Sequence, residues 1–434
     1  MKQKLFVLSM DAMVFEDLEY MAKKPNFQKL FSKCAQVEKV MSIFPAITYP
    51  CHTTLLTGCN PGKHGIYNNY AFKDYDDNIR RWYLYKKYVR VEDVFAAAKR
   101  AGCTTAAVYW PICGCNPNID HIINEYFFYY PDEDFEEAFR RMGASDTALE
   151  VVRENIDVLQ ARRAGDKSLS IDHFTMRCVC SMIRKAKPDV LFVHNCTPDT
   201  FRHRHGVFAE EIKVALDRTD AWLGDVIAAM EEAGVYEDTN FVLLSDHGQM
   251  DYTRRIRLNA LLVEGGFIDV APNGAVYDWQ AFSQSNGMSA TVYLRDPDNK
   301  AVYDKVYAYL QELVASGKYG LSRVYTTAEA KEKYGTYGPF SFIVATDGKT
   351  SISQEWNKET VEELGDSELC PVKGNHGHEP ELGPQPIFVA RGPAFKEGAV
   401  LKNARLIDVA PTLAAVFGQN MPEAEGRCLT ELLK

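Results

Sequence analysis

Short apolar runs alternate along the chain with longer segments in which apolar residues recur at helical spacing. The runs are rich in β-branched residues, which is typical of buried strands. Five strands are predicted, near residues 4–9, 104–109, 189–194, 239–244 and 386–390. Helices are predicted near 91–102, 170–186, 207–234 and 405–417. Alternation of this kind favours parallel strands joined by crossover helices, and therefore an α/β fold with a mostly parallel central sheet flanked by helices.

The segment 256–372 has a different texture from the rest of the chain. It combines Asn, Asp and Gly turns with a helical pattern near 300–316 and short strand-like pieces. No Pro-, Ser- or Gly-rich linker bounds it, so we interpret it as a smaller inserted α+β subdomain, a lid or cap, rather than a tethered domain. The predicted catalytic core comprises residues 1–255 and 373–434.

Composition and charge fit a globular enzyme. Of the 434 residues, 46% are hydrophobic and 25% are charged, which are ordinary values for a protein with a sizeable core. The formal net charge is −10. It gives no sign of binding to nucleic-acid polymers or to acidic membranes, since both favour basic surfaces. An acidic protein can still bind anionic phosphates where metals reverse the local charge.

The cysteines and the N-terminus bear on location. Eleven cysteines are scattered along the chain without a Cys-x-x-Cys pair, so no structural zinc site is predicted and reduced thiols are expected. The first apolar run is too short for a signal-peptide core, and no stretch approaches the ~20 apolar residues of a membrane span. The expected location is cytoplasmic, and the pattern does not determine the oligomeric state.

Asp11, Asp246 and His247 each follow the end of a predicted strand. Ligands of an open α/β sheet bind beyond the carboxyl ends of its strands. Asp246 and His247 are adjacent ligand types followed by Gly248, which allows close backbone approach, and metal binding is the favoured interpretation for this pair. An Asp in the position of Asp11, taken alone, is more often a helix cap.

Asp199 and His203 lie four residues apart after the strand at 189–194. They can converge on one cation if the segment coils, and a carboxylate with an imidazole suits zinc or manganese. The alternative is a solvated polar loop, and His205 or His194 could be the ligand instead.

His376 lies between two glycines, Gly374 and Gly377, which again allow close approach. It would supply a third ligand to the cation site of Asp199 and His203, although His378 competes with it for that role. The other histidines are interpreted as structural or surface residues: His52, His64, His121 and His173.

The segment 44–58 carries the most specific local signal. Pro50 suits a first helical position and Gly58 suits the residue just past a helix end, so a short helix is predicted near 50–57. Thr48 would precede this helix and face its unpaired N–H groups. A hydroxyl there is well placed to attack phosphorus beside a metal, and the alternative is that Thr48 is only the helix N-cap.

These residues belong to a series of short motifs that keep one order along nearly the whole chain. The series is Asp11 after the first strand, Thr48-Tyr-Pro-x-His with Thr57-Gly58, Pro61-x-x-His64-Gly-Ile66, Asn69, Pro198-Asp199 with His203, Ser245-Asp-His-Gly248, and Gly374-x-His-Gly377. It resembles the type I phosphodiesterase/nucleotide pyrophosphatase family of the alkaline phosphatase superfamily. Ala12 and Arg202 depart from glycines that are common in the family, and Cys51 departs from a frequent Asn.

The resemblance implies an alkaline-phosphatase-like core that holds two zinc ions, with manganese as the alternative metal. The implied ligands of one ion are Asp199, His203 and His376, and those of the other are Asp11, Thr48, Asp246 and His247. Asn69 would donate to a phosphate oxygen, and Tyr49 would pack on the leaving or base group of the substrate.

The predicted function is a two-metal hydrolase that cleaves a small-molecule phosphate diester through a phosphothreonyl intermediate on Thr48. Tyr49 and the aromatic segment 67–88 favour an organic ester over bare phosphate, although these rings could equally be lid packing. The nearest rival is a phosphonate hydrolase similar to phosphonoacetate hydrolase. A phosphomonoesterase is less favoured because no obvious Arg accompanies Thr48, and a phosphoglycerate mutase-like isomerase is further off. A non-catalytic metal-binding protein is disfavoured because every expected ligand position is filled.

Overall fold

The structure, a computed structural model, describes residues 3–72, 82–127, 132–166, 170–364 and 373–434. The strands in these ranges are β1 (Lys4–Met10), β2 (Ala35–Met41), β3 (Thr105–Val108), β4 (His121–Ile123), β5 (Val190–Asn195), β6 (Thr239–Leu244), β7 (Met250–Asp251), β8 (Arg254–Arg257), β9 (Ile268–Val270), β10 (Val276–Trp279), β11 (Ala281–Ser285), β12 (Ser289–Leu294), β13 (Leu321–Thr326), β14 (Phe342–Thr346), β15 (Thr350–Ser353), β16 (Val361–Glu363), β17 (Gly374–Asn375), β18 (Phe388–Arg391) and β19 (Val400–Arg405).

The helices in the same ranges are α1 (Asp17–Met21), α2 (Pro25–Phe31), α3 (Thr48–Thr57), α4 (Pro61–His64), α5 (Val94–Arg100), α6 (Phe135–Arg141), α7 (Asp146–Arg163), α8 (Ile171–Ala186), α9 (Thr197–His205), α10 (Ile212–Ala233), α11 (Leu258–Glu264), α12 (Lys300–Ala315), α13 (Thr327–Tyr334) and α14 (Val409–Ala415). Short 3-10 turns lie at Lys86–Tyr88 and Leu406–Asp408.

Eight strands form the central sheet in the order β19-β2-β18-β6-β1-β5-β3-β4. β1 pairs in parallel with both β5 and β6, and β3 continues the parallel arrangement to β4. The mostly parallel sheet predicted from the sequence is therefore confirmed. The last predicted strand is an exception, because β18 runs antiparallel to both β6 and β2.

Helices cover both faces of this sheet, and alternate side chains of β1 show it. Leu5 and Val7 belong to a hydrophobic cluster that includes residues of α3, α5 and α14. Phe6 and Leu8 point the other way, into a cluster with residues of α7, α8 and α10. Because successive strand side chains point to opposite faces, a strand covered on both sides is apolar throughout, which is why β1 was predictable.

Two predicted helices differ from the observed ones at their N-termini. The pattern at 207–234 predicts one helix, but α10 begins at Ile212 and a separate helix, α9, ends at His205. Thr48 was expected to precede a helix near 50–57, whereas α3 begins at Thr48 and Ile47 is its N-cap. The hydroxyl of Thr48 therefore lies in the first helical turn, and the alternative role of helix N-cap belongs to Ile47.

Smaller sheets lie between β7 and β17. The largest is antiparallel, in the order β11-β12-β14-β13, and a hydrophobic cluster joins it to α11 and α12. The two ends of this region meet, since Asp251 of β7 pairs with Gly374 of β17. The subdomain boundaries predicted at 256 and 372 stay a prediction, and residues 365–372 lie outside the described ranges.

No helix among the described residues combines the length and the apolar character that a membrane crossing requires.

Candidate active site

The predicted ligands meet at the edge of the central sheet where β1, β5 and β6 end. These neighbouring strands run parallel, with Ser9 of β1 opposite His194 of β5 and Leu244 of β6. Because their carboxyl ends are in register, the residues that follow each strand share one edge. Asp11 follows β1 directly, and its backbone N–H donates to the carbonyl of Asn195 at 2.9 Å.

Asp11, Asp246 and His247 form the first candidate metal-binding group, and all three are buried. Their ligand atoms lie within 4.8 Å of one another. The Thr48 hydroxyl oxygen lies 3.4 Å from Asp11 Oδ2, to which it donates, and 3.4 Å from His247 Nε2. The group predicted to act as nucleophile is therefore adjacent to the first group.

Asp199, His203 and His376 form the second candidate group. One helical turn of α9 separates Asp199 from His203, so Asp199 Oδ1 lies 3.3 Å from His203 Nε2. His376 Nε2 lies 3.7 Å from the same oxygen. The rings of His376 and His247 are stacked with centroids 4.2 Å apart, so the two groups adjoin.

The polar atoms of both groups fit cations. Asp11 Oδ1, Asp246 Oδ2 and His376 Nδ1 are buried and make no hydrogen bond, which is costly for isolated polar atoms. Asp246 Oδ2 lies only 3.2 Å from His247 Nε2. Short contacts without hydrogen bonds between carboxylate oxygens and imidazole nitrogens are the arrangement expected of ligands that face a common divalent ion.

The electrostatics of the carboxylates agree with that fit. Burial, and then the neighbouring charge of Asp246, raise the pKa of Asp11 well above its ordinary value. Burial also disfavours charge on Asp246 and Asp199, but the surrounding imidazoles outweigh it and hold the pKa of each below its ordinary range. Cations placed between these groups would remove the repulsion that raises the pKa of Asp11.

A second layer of side chains supports the ligands, and the sequence analysis did not predict this supporting role. His52 Nδ1 lies 2.8 Å from the Thr48 carbonyl oxygen and 3.3 Å from Asp246 Oδ2. His194 Nε2 lies 3.1 Å from Asp11 Oδ2. Gln249 donates to Asp199 Oδ1. His52 was interpreted as structural. Two signals pointed to it: it closes the Thr48-Tyr-Pro-x-His motif, and it lies four residues after Thr48, one turn along the same helix.

Of the three histidines that competed with the favoured ligands, His205 and His378 lie outside both groups. His205 is part exposed, and its nearest carboxylate among the described residues is Glu211, at 4.0 Å. His378 is buried outside both groups, and burial lowers its pKa to about 3. His194 contacts Asp11 and forms a third potential ligand group with Asp11 and Cys196. The geometry thus favours His203 and His376, and the ligand roles themselves stay predictions.

Close backbone contacts explain why glycines flank the ligands. A Cβ on Gly248 would lie 2.0 Å from the carbonyl oxygen of Pro384. Gly377 has a φ of +87°, and a Cβ there would lie 1.7 Å from the carbonyl oxygen of Asn286. Ala12, which departs from a family glycine, adopts a left-handed φ of 54° and donates its N–H to Asp246 Oδ1 at 3.2 Å.

Asn69 and Tyr49 are joined to each other. The side-chain oxygen of Asn69 accepts the backbone N–H of Tyr49 at 2.9 Å, so the amide NH2 is the end of Asn69 that can donate to a phosphate oxygen. Tyr49 is only 1% exposed, and its ring lies against Trp82. Its contact with the substrate stays a prediction. Residues 73–81 of the aromatic segment 67–88 lie outside the described ranges.

Comparison with known proteins gives consistent matches. The family model described as type I phosphodiesterase / nucleotide pyrophosphatase matches residues 5–378. The bis(5′-adenosyl)-triphosphatase enpp4 of Xenopus laevis is 23% identical over 431 residues, which cover 96% of this chain and 78% of that protein. Ectonucleotide pyrophosphatase/phosphodiesterase family member 5 of Homo sapiens is 23% identical over 426 residues, which cover 95% and 74%.

Solved structures show the same fold. Murine ectonucleotide pyrophosphatase/phosphodiesterase 5, in an inactive form in complex with AMP, superposes with a TM-score of 0.68. The match covers 100% of both chains at 20% sequence identity. The predicted alkaline-phosphatase-like α/β fold is confirmed.

Proposed function

The chain belongs to the type I phosphodiesterase/nucleotide pyrophosphatase family, and from this premise we propose that it hydrolyses phosphate diesters with divalent metals and a threonine nucleophile. The observation that carries the proposal is the position of the Thr48 hydroxyl. It lies 3.4 Å from Asp11 Oδ2 and 3.4 Å from His247 Nε2, in the first turn of α3. A hydroxyl beside a carboxylate–imidazole group at a helix start suits attack on an anionic phosphorus centre.

Two zinc ions suit the donor sets, with manganese as the alternative. Asp199, His203 and His376 would hold one, and the other would lie among Asp11, Asp246 and His247 beside the hydroxyl of Thr48. When bound, such ions supply positive charge that lowers the pKa of a bound hydroxyl and stabilises oxygens that gain negative charge.

The residues of the chain define the rest of the reaction. Asp11 accepts the hydrogen bond of Thr48 and so orients the hydroxyl oxygen. This oxygen attacks phosphorus, the bond from phosphorus to the leaving ester oxygen breaks, and the alcohol departs with a proton. Asn69 donates its amide N–H to a non-bridging oxygen during both displacements. Water then attacks the phosphothreonyl group, which restores Thr48 and releases the monoester.

The test compares wild type, Thr48→Ala and Thr48→Ser after loading with zinc. Each variant is assayed with methyl p-nitrophenyl phosphate as the diester, with p-nitrophenyl phosphate and with phosphonoacetate, and its metal content is measured. We expect preference for the diester in wild type, loss of turnover in Thr48→Ala and partial activity in Thr48→Ser, since serine keeps a hydroxyl. Near-normal rates in Thr48→Ala would overturn the covalent route.

The same assay separates the rival substrate classes. Preference for phosphonoacetate or for the monoester would leave the metal site in place and overturn the diester assignment. Metal content below two equivalents with full activity would overturn the two-ion proposal.

The cytoplasmic location also stays a proposal. It is supported by the cysteines of the described ranges, all of which are free thiols, as is common in a reducing compartment.

A further inference from the structure

Trp82 packs into a group of aromatic rings next to the proposed nucleophile. Its ring lies 4.7 Å from that of Phe127, stacked at 20°, and 5.1 Å from that of Tyr49 at 51°. The Tyr70 ring meets it edge-on at 5.8 Å. Tyr49 directly follows Thr48 in the first turn of α3, so the indole packs against the residue next in sequence to the proposed nucleophile.

Tyr49 cannot easily turn toward a substrate. Its hydroxyl donates to Glu125, which is itself buried. Its backbone N–H is held by the side chain of Asn69 at 2.9 Å. With 1% of the residue exposed, Tyr49 is buried with its ring against the indole of Trp82, so it presents almost no surface to a ligand.

Trp82 is held to the segment that carries the proposed oxygen donor. Tyr70 and Trp82 form an antiparallel bridge, and the N–H of Tyr83 donates to the carbonyl oxygen of Asn69 at 3.1 Å. The backbone at residues 82 and 83 is therefore held against Tyr70 and Asn69, and the indole is held by ring contacts to Tyr49 and Phe127. A ring held in this way is a built part of the site wall.

We propose that Trp82 determines substrate specificity by filling the space in which a planar ester group would stack on Tyr49 or Phe127. The inference rests on the proposed diesterase function. It predicts that the enzyme favours diesters whose retained ester group is compact and non-aromatic. This preference would differ from what two similar proteins suggest, since one is named bis(5′-adenosyl)-triphosphatase and the other was solved in complex with AMP, and both of these ligands contain a nucleoside. Removing the indole would open a slot between aromatic rings, and such rings bind bases by stacking.

The experiment compares wild type and Trp82→Ala with two substrates that share one leaving group. These are methyl p-nitrophenyl phosphate and thymidine 5′-(p-nitrophenyl phosphate), which differ only in the group that stays on phosphorus. Because both substrates have the same leaving group, its effect cancels in the ratio of their kcat/KM values. The ratio therefore reports the contact with the retained group. Wild type should favour the methyl ester. Trp82→Ala should raise the thymidine-to-methyl ratio by about tenfold, the scale of one stacking contact.

Two controls keep the result specific. Tyr277→Ala removes an aromatic residue that is 64% exposed and far along the chain, and it should leave the ratio unchanged. Calorimetric titration with adenosine measures binding of a base to the space that the indole would vacate. It does so without catalysis, because adenosine has no phosphate. Binding should be detectable in Trp82→Ala and absent in wild type.

Each outcome decides one claim. An unchanged ratio in an active Trp82→Ala enzyme overturns the specificity role and leaves the diesterase function standing. A lower ratio also overturns it, because the indole would then be the platform on which the base stacks. If no diester is hydrolysed by any variant, the proposed function fails, and adenosine titration still decides whether Trp82 blocks the slot.

Discussion

Replacing Arg202 by Met should destabilise the protein strongly, because it leaves a buried carboxylate without its counter-charge. Arg202 is completely buried, and its guanidinium pairs with Asp17, which is 6% exposed. The same group donates through Nε to the Ala12 carbonyl oxygen at 3.0 Å and through Nη1 to the Val207 carbonyl oxygen. Arg202 thus ties the segment after Asp11 to the helix that carries the second ligand group.

The expected cost is about 3–5 kcal/mol in the free energy of unfolding, the usual effect of removing one partner of a buried ion pair. Methionine fills much of the same volume, so the loss is mainly electrostatic and hydrogen-bonding. Asp17→Asn should keep an acceptor for the Val14 N–H, which Asp17 Oδ2 now accepts at 2.8 Å. The double variant removes both charges, so its loss should fall short of the sum of the single losses by about 1–3 kcal/mol.

The assay is urea unfolding of chelated protein followed by circular dichroism. Chelation is needed because a metal bound only by the folded state adds to its apparent stability. The matched control is Arg204→Met, since Arg204 is exposed two residues further along the same helix, and it should change stability by less than about 0.5 kcal/mol. A loss below about 1 kcal/mol for Arg202→Met, or additive losses in the double variant, would refute the reasoning.

Two further predictions concern the site. Gly377→Ala should displace His376, because the new Cβ would lie 1.7 Å from the Asn286 carbonyl oxygen. Bound metal should then fall by about one equivalent per chain. Unchanged metal content would count against the ligand role of His376. Burial raises the pKa of Glu125 to about 8, so the folded chain keeps a proton that the unfolded chain loses, and stability falls as the pH rises through that window. Glu125→Gln removes this dependence, so its free energy of unfolding relative to wild type should increase from about pH 5 to about pH 9; a difference independent of pH would disprove the buried carboxyl assignment.

Fold class was predictable because the innermost strands are apolar on both faces. β1 from Leu5 onward, and β5 and β6 along their whole length, are buried, and each contains a short apolar run that stands out in a single sequence. β2 and β19 were missed for the opposite reason. Near the sheet edge their patterns include exposed polar residues such as Glu38 and Lys402, and such mixed segments resemble loops.

Most candidate ligands were predictable for a related reason, since Asp11, Asp199 and the pair Asp246–His247 follow recognisable strands, whereas Thr48 and His376 were selected by the order of short motifs. The side chains that support these ligands were not predictable. Arg202 and Asp17 are 185 residues apart, and His194 and Asp11 are 183 apart. A contact between such distant positions leaves no periodic trace in either segment.

The sequence by itself therefore determined the α/β class, the strands of the sheet centre and the candidate ligand residues, because backbone preference, burial period and motif chemistry are properties of short windows. Only the tertiary structure decided the order of the strands, the antiparallel direction of β18, the positions of the competing histidines and the packing of the Trp82 indole against Tyr49. These depend on which distant surfaces pack together, and packing is decided by the shape of the whole chain rather than by any one segment.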